Sequence, residues 1–287
     1  MIPTFSHNLN NSFFLWFDNL LATKAEAHRT YTTKLYNYDD ARLGGEKVTY
    51  GSPYKQWVYD NNVSGATIPS GLTIDGAFTA TGTSGMIFDF DNGRVIFNSG
   101  VSTGLDITGT YTVKEFNTYI TDKTEESLIV ENKFIENSRF TVTETHIPPY
   151  DAVTPAIFIS SSSIQNEPFA LGGQDMTNVI MRGVVFGESL YQVDGILNTC
   201  ADAAETAFGL IPMEKHPLAE FRNLKTGLYS TGYDYKNAAK DHSTGTVFVN
   251  EVDTAKMRDS ISKELNPTLH IGFIDFEIHK YRSPRAN

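Results

Sequence analysis

The sequence predicts an α+β protein: a mainly antiparallel sheet packed with two long helices, plus a β-rich insert. Three observations lead to this fold class. Apolar residues recur at helical spacing in residues 8–29 and 190–210. Several other runs alternate apolar and polar residues, as half-buried strands do. The pair Asn92-Gly93 lies between two such runs and is a strong hairpin signal. With 287 residues, 40% of them hydrophobic, the chain can bury a sizeable core.

The first helix is predicted over residues 8–29, with Ser6 or Asn8 as its N-cap. One stripe of this helix is apolar and consists of Leu9, Phe13, Trp16, Phe17, Leu20 and Leu21. The opposite face is polar and consists of Asn10, Ser12, Asp18, Lys24 and Glu26. A stripe with three aromatic rings must be covered, either by a sheet of the same chain or by a neighbouring subunit.

The predicted organisation is a core domain of residues 1–45 and 121–287, interrupted by a β-rich insert of residues 46–120. Within the insert, short strands are predicted at residues 72–74 and 77–79, on either side of a turn.

The insert also contains the hairpin around Asn92-Gly93. A two-residue loop there pairs Asp91 with Arg94, Phe90 with Val95 and Phe88 with Phe97. Asp91 and Arg94 then form an exposed ion pair, and Gly93 supplies the positive φ that the turn requires.

The rest of the chain alternates between strands and loops, with a further long helix at residues 190–210. The segment 124–137 is ambiguous and could open a short helix. Strands are predicted at 30–38, 109–120, 139–146, 155–159, 175–186, 245–257 and 268–281. The Ser160–Ser163 run is expected to lead into a polar loop, and residues 213–243 are expected to form a long loop with a functional or interaction role. The tail 282–287 is expected to be basic and loose.

Charge and cysteine content exclude some classes of function. The net charge of −11 argues against a dominant nucleic-acid-binding role, because phosphate contacts need clustered Lys and Arg. An acidic wall along which DNA slides remains compatible with this charge. The single cysteine, Cys200, cannot form an intramolecular disulfide, which fits a reducing compartment. No apolar run is long enough for a transmembrane helix, and the N-terminus lacks the basic region of a secretory signal.

The residues that could carry chemistry form no recognised catalytic pattern. Asp275, Glu277 and His279 share one face of the last strand, but alternate side chains there are roughly 7 Å apart. We expect this face to be a solvated sheet surface and not a metal site. The Ser160–Ser163 run lacks the GxSxG pattern of a nucleophile elbow. Asp89 and Asp91 alternate like a glycosidase pair, although polar hairpin faces show such pairs routinely. We predict no catalytic residue, no metal and no cofactor.

The candidate functional residues are therefore interface residues. They lie on the tyrosine-rich loop (Tyr229, Tyr233, Tyr235), the hairpin tip (Asp91, Asn92, Arg94) and the C-terminal arm (Arg282, Arg285). The tyrosines could stack on sugar rings or on a partner's side chains. We expect a partner surface, because no acidic residues are organised around them.

Three segments resemble structural proteins of tailed-bacteriophage virions. They are FDFDNGRVIFNSGVSTGLDITGTYTVKEFNTYI, then PPYDAVTPAIFISSSSIQNEPFALGG leading to VIMRGVVFGESLYQVDGILNTCADA, and LNPTLHIGFIDFEIHKYRSPR. The predicted helices and the strand at 155–159 look similar to neck components of the tail-terminator or head-closure type. The resemblance implies a non-enzymatic subunit of a six- or twelve-fold ring at the head–tail junction, assembled in the host cytoplasm. It also implies contacts with other neck, tail-tube or sheath proteins, DNA at most passing through the lumen, and no membrane.

Two other classes of function stay open. A carbohydrate-binding or adhesin-like β module is suggested by the tyrosine-rich loop and the Gly/Thr-rich insert. A hydrolase would use Asp89 with Asp91, or the face of Asp275, Glu277 and His279.

Overall fold

The computed structural model describes most of the chain. The described residues are 4–38, 40, 43, 47–81, 85–98, 101–131, 134–136, 152–170, 174–219, 222–225, 227–229, 232–258, 261–262, 264 and 268–282. The fold is mostly β and belongs to the mixed α+β class, with curled, mainly antiparallel sheets. The predicted strand at residues 139–146 lies outside the described residues.

Two sheets form the body of the protein. Sheet I has seven antiparallel strands: β1 (His28–Tyr38), β2 (Val48–Gly51), β3 (Gly71–Ile74), β4 (Ala77–Ala80), β5 (Met86–Asp89), β6 (Arg94–Phe97) and β7 (Ile107–Lys114). Sheet II has six strands: β8 (Asn117–Ile120), β11 (Ala156–Ala170), β12 (Gln174–Gly187), β13 (Ala207–Gly209), β14 (Thr246–Lys256) and β15 (His270–Arg282). A small parallel pair consists of β9 (Phe134–Glu136) and β10 (Ala152–Thr154).

The strand order is β4-β3-β7-β1-β2-β6-β5 in sheet I and β13-β14-β15-β12-β11-β8 in sheet II. β1, from the predicted core segment 1–45, pairs with β2 and β7 of the predicted insert. β8, from the end of that insert, joins sheet II beside β11. The sheets therefore share strands across the predicted boundaries, and the division into domains stays a prediction.

Among the described elements, the α-helices are α1 (Thr4–Lys24), α2 (Glu125–Glu131), α3 (Leu190–Ala201) and α4 (Tyr235–His242). Of these four, α1 is the long one, with 21 residues. The second predicted helix ends at Ala201 instead of residue 210, and the chain then turns, with a φ of +62° at Glu205. Phe208, which was assigned to that helix, lies in β13. The short helix that could open after residue 124 exists as α2. Among the described residues, no helix is both long enough and apolar enough to span a membrane.

The apolar stripe of α1 is covered by the chain's own sheet II. The Phe13 and Phe17 rings lie 5.1 and 5.7 Å from the ring of Phe276 in β15. The Trp16 ring stacks on Phe208 at 5.2 Å. This confirms the first of the two predicted ways of covering the stripe, and such aromatic pairs add to the free energy gained from burial.

Two residues of the predicted polar face of α1, Ser12 and Asp18, are buried, which their residue types did not predict, whereas Lys24 is exposed. Ser12 is fully buried and its Oγ accepts a hydrogen bond from the Ile211 amide at 2.7 Å. Asp18 is 5% exposed and forms an ion pair with Lys114 of β7. Because one face contacts sheet II and the other bonds to sheet I, α1 lies between the two sheets.

The predicted hairpin exists as β5 and β6, but its register differs from the prediction by two residues. Asp89 pairs with Arg94 and Phe88 pairs with Val95, so the loop has four residues and not two. The loop carbonyls bond outward: Ser52 N donates to the Gly93 carbonyl, and Trp57 N donates to the Phe90 carbonyl. These neighbouring donors, which no local pattern reveals, hold the wider loop.

Replacing Gly93 by valine should lower the free energy of unfolding by about 2–4 kcal/mol. Gly93 has φ +61°, and a Cβ there would lie 1.9 Å from the carbonyl oxygen of Tyr54. Urea denaturation measures the loss. The control is Gly76→Val: Gly76 has φ +83° with no atom within 4 Å of an added Cβ, so only the backbone strain acts there. Equal losses in the two variants would show that the Tyr54 contact is unimportant.

The Ser160–Ser163 run is part of a strand and not the start of a loop. β11 continues through it to Ala170 and pairs with β12 along its length, with a bulge between Ser161 and Ser163. The predicted long loop at 213–243 contains α4, which the sequence analysis missed.

Candidate functional site

The hairpin tip is folded into the protein. The Arg94 side chain is 3% exposed; its Nε donates to Asp89 Oδ2 at 2.7 Å and its Nη1 donates to Asp40 Oδ2 at 2.5 Å. Arg94 Nη1 also donates to the Tyr38 hydroxyl at 3.0 Å. Asn92 donates to the Asp89 carboxylate from its backbone and its side chain. Arg94 therefore holds β1, β5 and β6 together, and it does not form the predicted exposed ion pair with Asp91.

Asp91 pairs instead with Arg222, whose Nε lies 3.4 Å from Asp91 Oδ2. Burial raises the pKa of Asp91 to about 6, while the positive charges of Lys114 and Arg222 oppose the rise. Asp89 is 1% exposed and bonded to Arg94. The two carboxylates that resembled a glycosidase pair thus have different structural partners, and Asp89 is closed off from solvent.

Of the three candidate tyrosines, only Tyr229 has a partly exposed side chain. Tyr233 is 1% exposed and Tyr235 is 7% exposed. The Tyr235 amide donates to Asp60 Oδ1 at 3.1 Å, and Asn19 donates to the other oxygen of Asp60 at 2.8 Å. Tyr233 and Tyr235 therefore belong to the core that joins this segment to α1.

The C-terminal candidates divide between a described residue and one outside the description. The Arg282 guanidinium lies 4.3 Å from the centroid of the Phe5 ring, a cation–π distance. Its Nη2 donates to Asn166 Oδ1 at 3.2 Å. Arg282 thus covers the first turn of α1 and is part of β15, not of a loose tail. Arg285 lies outside the described residues.

The acidic face of β15 is engaged in contacts within sheet II. His279 Nε2 lies 2.8 Å from Glu277 Oε1, and Asp275 lies 3.5 Å from Arg182 Nη1. Arg182 also forms an ion pair with Glu125 of α2, with 3.0 Å between Nε and Oε2. Within the part of the chain that the structure describes, no three His, Cys, Asp or Glu side chains are grouped to hold a metal ion.

A polar cavity of about 430 Å³ lies beside Tyr229. It is lined by Asn61, Leu228, Tyr229, Gly232, Asp234, Asn237, Ala238, Asp241 and His242. The two carboxylates come from the N-cap and the last turn of α4, so acidic residues do flank the tyrosine-rich segment. The sequence analysis missed these carboxylates because it treated the segment as a loop. Asp234 is a typical N-cap residue, and together with Ala238 and Ala239 it would have indicated the start of a helix.

The outer half of β11 is a strongly exposed strand segment. Residues 161–169 are exposed on both faces, apart from the half-buried Ser163. β8 pairs with β11 only at residues 156–159, and no described strand pairs with the outer edge beyond them. We call residues 161–170 the β11 arm.

Comparisons with known proteins leave the family of this chain open. No protein-family model and no curated protein matches it. The function must therefore be argued from the sequence resemblance and from the surfaces described above.

Proposed function

We propose that this chain is a non-enzymatic structural subunit of a tailed-phage virion, forming a ring at the neck or tail junction as a tail-terminator or head-closure protein. The resemblance of three segments to phage neck proteins suggests the class. Its partners would be copies of itself, in a six- or twelve-fold ring, and adjoining neck, tail-tube or sheath proteins. Genome DNA would at most pass through the lumen.

The observation that carries the proposal is the β11 arm. A strand exposed on both faces gains little from its own fold, and its outer edge offers backbone donors and acceptors to another chain. Bulges near Ser161 and Pro168 interrupt the edge, and Pro168 lacks an N–H. Such features limit edge pairing to a short segment. A short, defined contact is better suited to a closed ring than to an open-ended fibre.

Charge also favours the arm as the place where copies meet. Each copy carries a net charge of −11, so two copies repel each other over most of their surfaces. Residues 161–166 of the arm contain no charged side chain, and Glu167 is the one charged residue of the arm. A neighbouring copy can therefore approach this stretch at a lower electrostatic cost. The same acidic charge suits a lumen wall along which DNA moves without binding.

The test measures the mass of the purified protein by light scattering after size exclusion, with negative-stain images of the same peak. We expect a closed ring, alone or after addition of a neighbouring ring protein. Ile164 is 40% exposed on the arm. Ile164→Asp places a charge in the contact and should weaken ring formation by about tenfold or more, equivalent to about 1.4 kcal/mol per contact.

The matched control is Val130→Asp, because Val130 is 74% exposed on α2 and is not part of the arm. This variant should form rings like the unchanged protein, and circular dichroism should show that both variants are folded. A protein that stays monomeric at every concentration and is missing from purified virions, as measured by mass spectrometry, would rule out the proposed function. If Ile164→Asp leaves ring formation unchanged, the contact between copies does not involve the arm.

A further inference from the structure

We propose that the cavity beside Tyr229 is a binding site for an uncharged sugar ring. This site is separate from the β11 arm, and the inference does not depend on ring formation. The sequence analysis expected the tyrosine-rich segment to contact a protein partner, because no acidic residues were organised around it. Asp234 and Asp241 beside Tyr229 remove that reason.

Tyr229 gives the cavity a fixed aromatic wall. Its hydroxyl donates to the Lys215 carbonyl at 2.5 Å. The rings of Tyr233 and His242 form T-shaped pairs with it, with centroids 5.2 and 6.0 Å away. A ring that is hydrogen-bonded at its hydroxyl and packed against two other rings keeps one orientation. The electron-rich face of such a ring attracts the weakly positive C–H groups on one side of a sugar.

The polar groups around this ring match hydroxyl groups. Asp234 and Asp241 offer acceptor oxygens, while Asn237 offers both a donor and an acceptor. Sugar hydroxyls donate and accept in the same way. The two carboxylates repel anions such as phosphate or uronate, and so favour a ligand without negative charge.

The cavity walls are formed by fixed elements. Asp234 caps α4 by accepting a hydrogen bond from the Asn237 amide at 3.0 Å. On the other side, Asn61 packs against Gly232, where an added Cβ would come within 2.2 Å of Asn61 Nδ2. Gly232 has φ +94°, so the close approach depends on glycine. A preformed cavity of about 430 Å³ falls in the range of small-ligand sites.

The experiment titrates the isolated full chain with four neutral sugars: the methyl α-pyranosides of glucose, galactose and mannose, and N-acetylglucosamine. Saturation-transfer NMR detects binding, and calorimetry measures it. We expect at least one sugar to bind with a Kd on the order of 1 mM, and glucuronate to bind about tenfold more weakly than glucoside.

Two variants test the location of the site. Asp241→Asn and Tyr229→Ala should each weaken binding by about tenfold or more, whereas Tyr229→Phe keeps the ring and most of the affinity. The control is Asp253→Asn, the same change at an exposed position of β14 that does not line the cavity. No binding of any of the four sugars at roughly 50 mM, well above that Kd, would overturn the inference. Equal binding by Asp241→Asn and Asp253→Asn would overturn it too. Neither result would bear on the ring.

Discussion

Replacing Arg94 by methionine is expected to lower the free energy of unfolding by about 3–5 kcal/mol. The guanidinium is 3% exposed and binds two carboxylates, those of Asp89 and Asp40, whose side chains are 1% and 4% exposed. Without Arg94, two buried negative charges lose the guanidinium that both of them bind. Urea denaturation at neutral pH, read by circular dichroism, measures the loss as a lower midpoint at unchanged slope.

Two further variants make the Arg94 result specific. Arg94→Lys keeps the charge but cannot bond to Asp89 and Asp40 with a planar fork, so its loss should be intermediate. Arg222→Met removes the same type of side chain from an ion pair with Asp91. Arg222 is 58% exposed, and its loss should not exceed about 1 kcal/mol. Similar losses for Arg94→Met and Arg222→Met would contradict the role of the buried cluster.

The sequence predicted the elements whose pattern is local. The stripe of α1, the strands on either side of Asp75-Gly76 and the alternation of β15 all follow from the spacing of apolar residues along the chain. In β15 the buried residues Ile274, Phe276 and Ile278 alternate with the half-buried polar ones, as the pattern requires.

The sequence could not predict contacts that depend on distant residues. The hairpin register follows from donors at Ser52 and Trp57, which come 41 and 33 residues before the loop residues that they bond to. Asp18 looked like a surface residue of α1 because its partner, Lys114, comes 96 residues later. Periodicity distinguishes apolar from polar positions, and it cannot tell a solvated carboxylate from a buried, paired one.

The candidate interface residues also depend on contacts that the sequence could not predict. Residue type suggested that Tyr233, Tyr235 and Arg94 face a partner, but the fold buries all three. The β11 arm was not predicted, because a run of serines is typical of a loop. In the structure, pairing with β12 continues the strand through this run. α4 has only eight residues and was included in the predicted long loop, so the position of Asp241 beside Tyr229 was missed with it.

Lys114→Met is the second variant with a large expected effect, a loss of about 3–5 kcal/mol in the free energy of unfolding. Lys114 Nζ lies 2.8 Å from Asp18 Oδ1, and the two side chains are 2% and 8% exposed. The ammonium group also lies 4.9 Å from the centroid of the Tyr59 ring. The variant leaves the Asp18 carboxylate buried between the two sheets without this cation.

A double variant separates the cost of an unpaired charge from the value of the pair. Asp18→Leu together with Lys114→Met removes both charges and keeps apolar volume, so it should be more stable than Lys114→Met alone. Lys34→Met is the surface control: Lys34 and Asp106 are 3.0 Å apart but 50% and 68% exposed, and the loss should be at most about 1 kcal/mol. If the double variant is less stable than Lys114→Met alone, Asp18 stabilises the protein through contacts other than Lys114. The link between α1 and sheet I would then depend on packing and not on this ion pair.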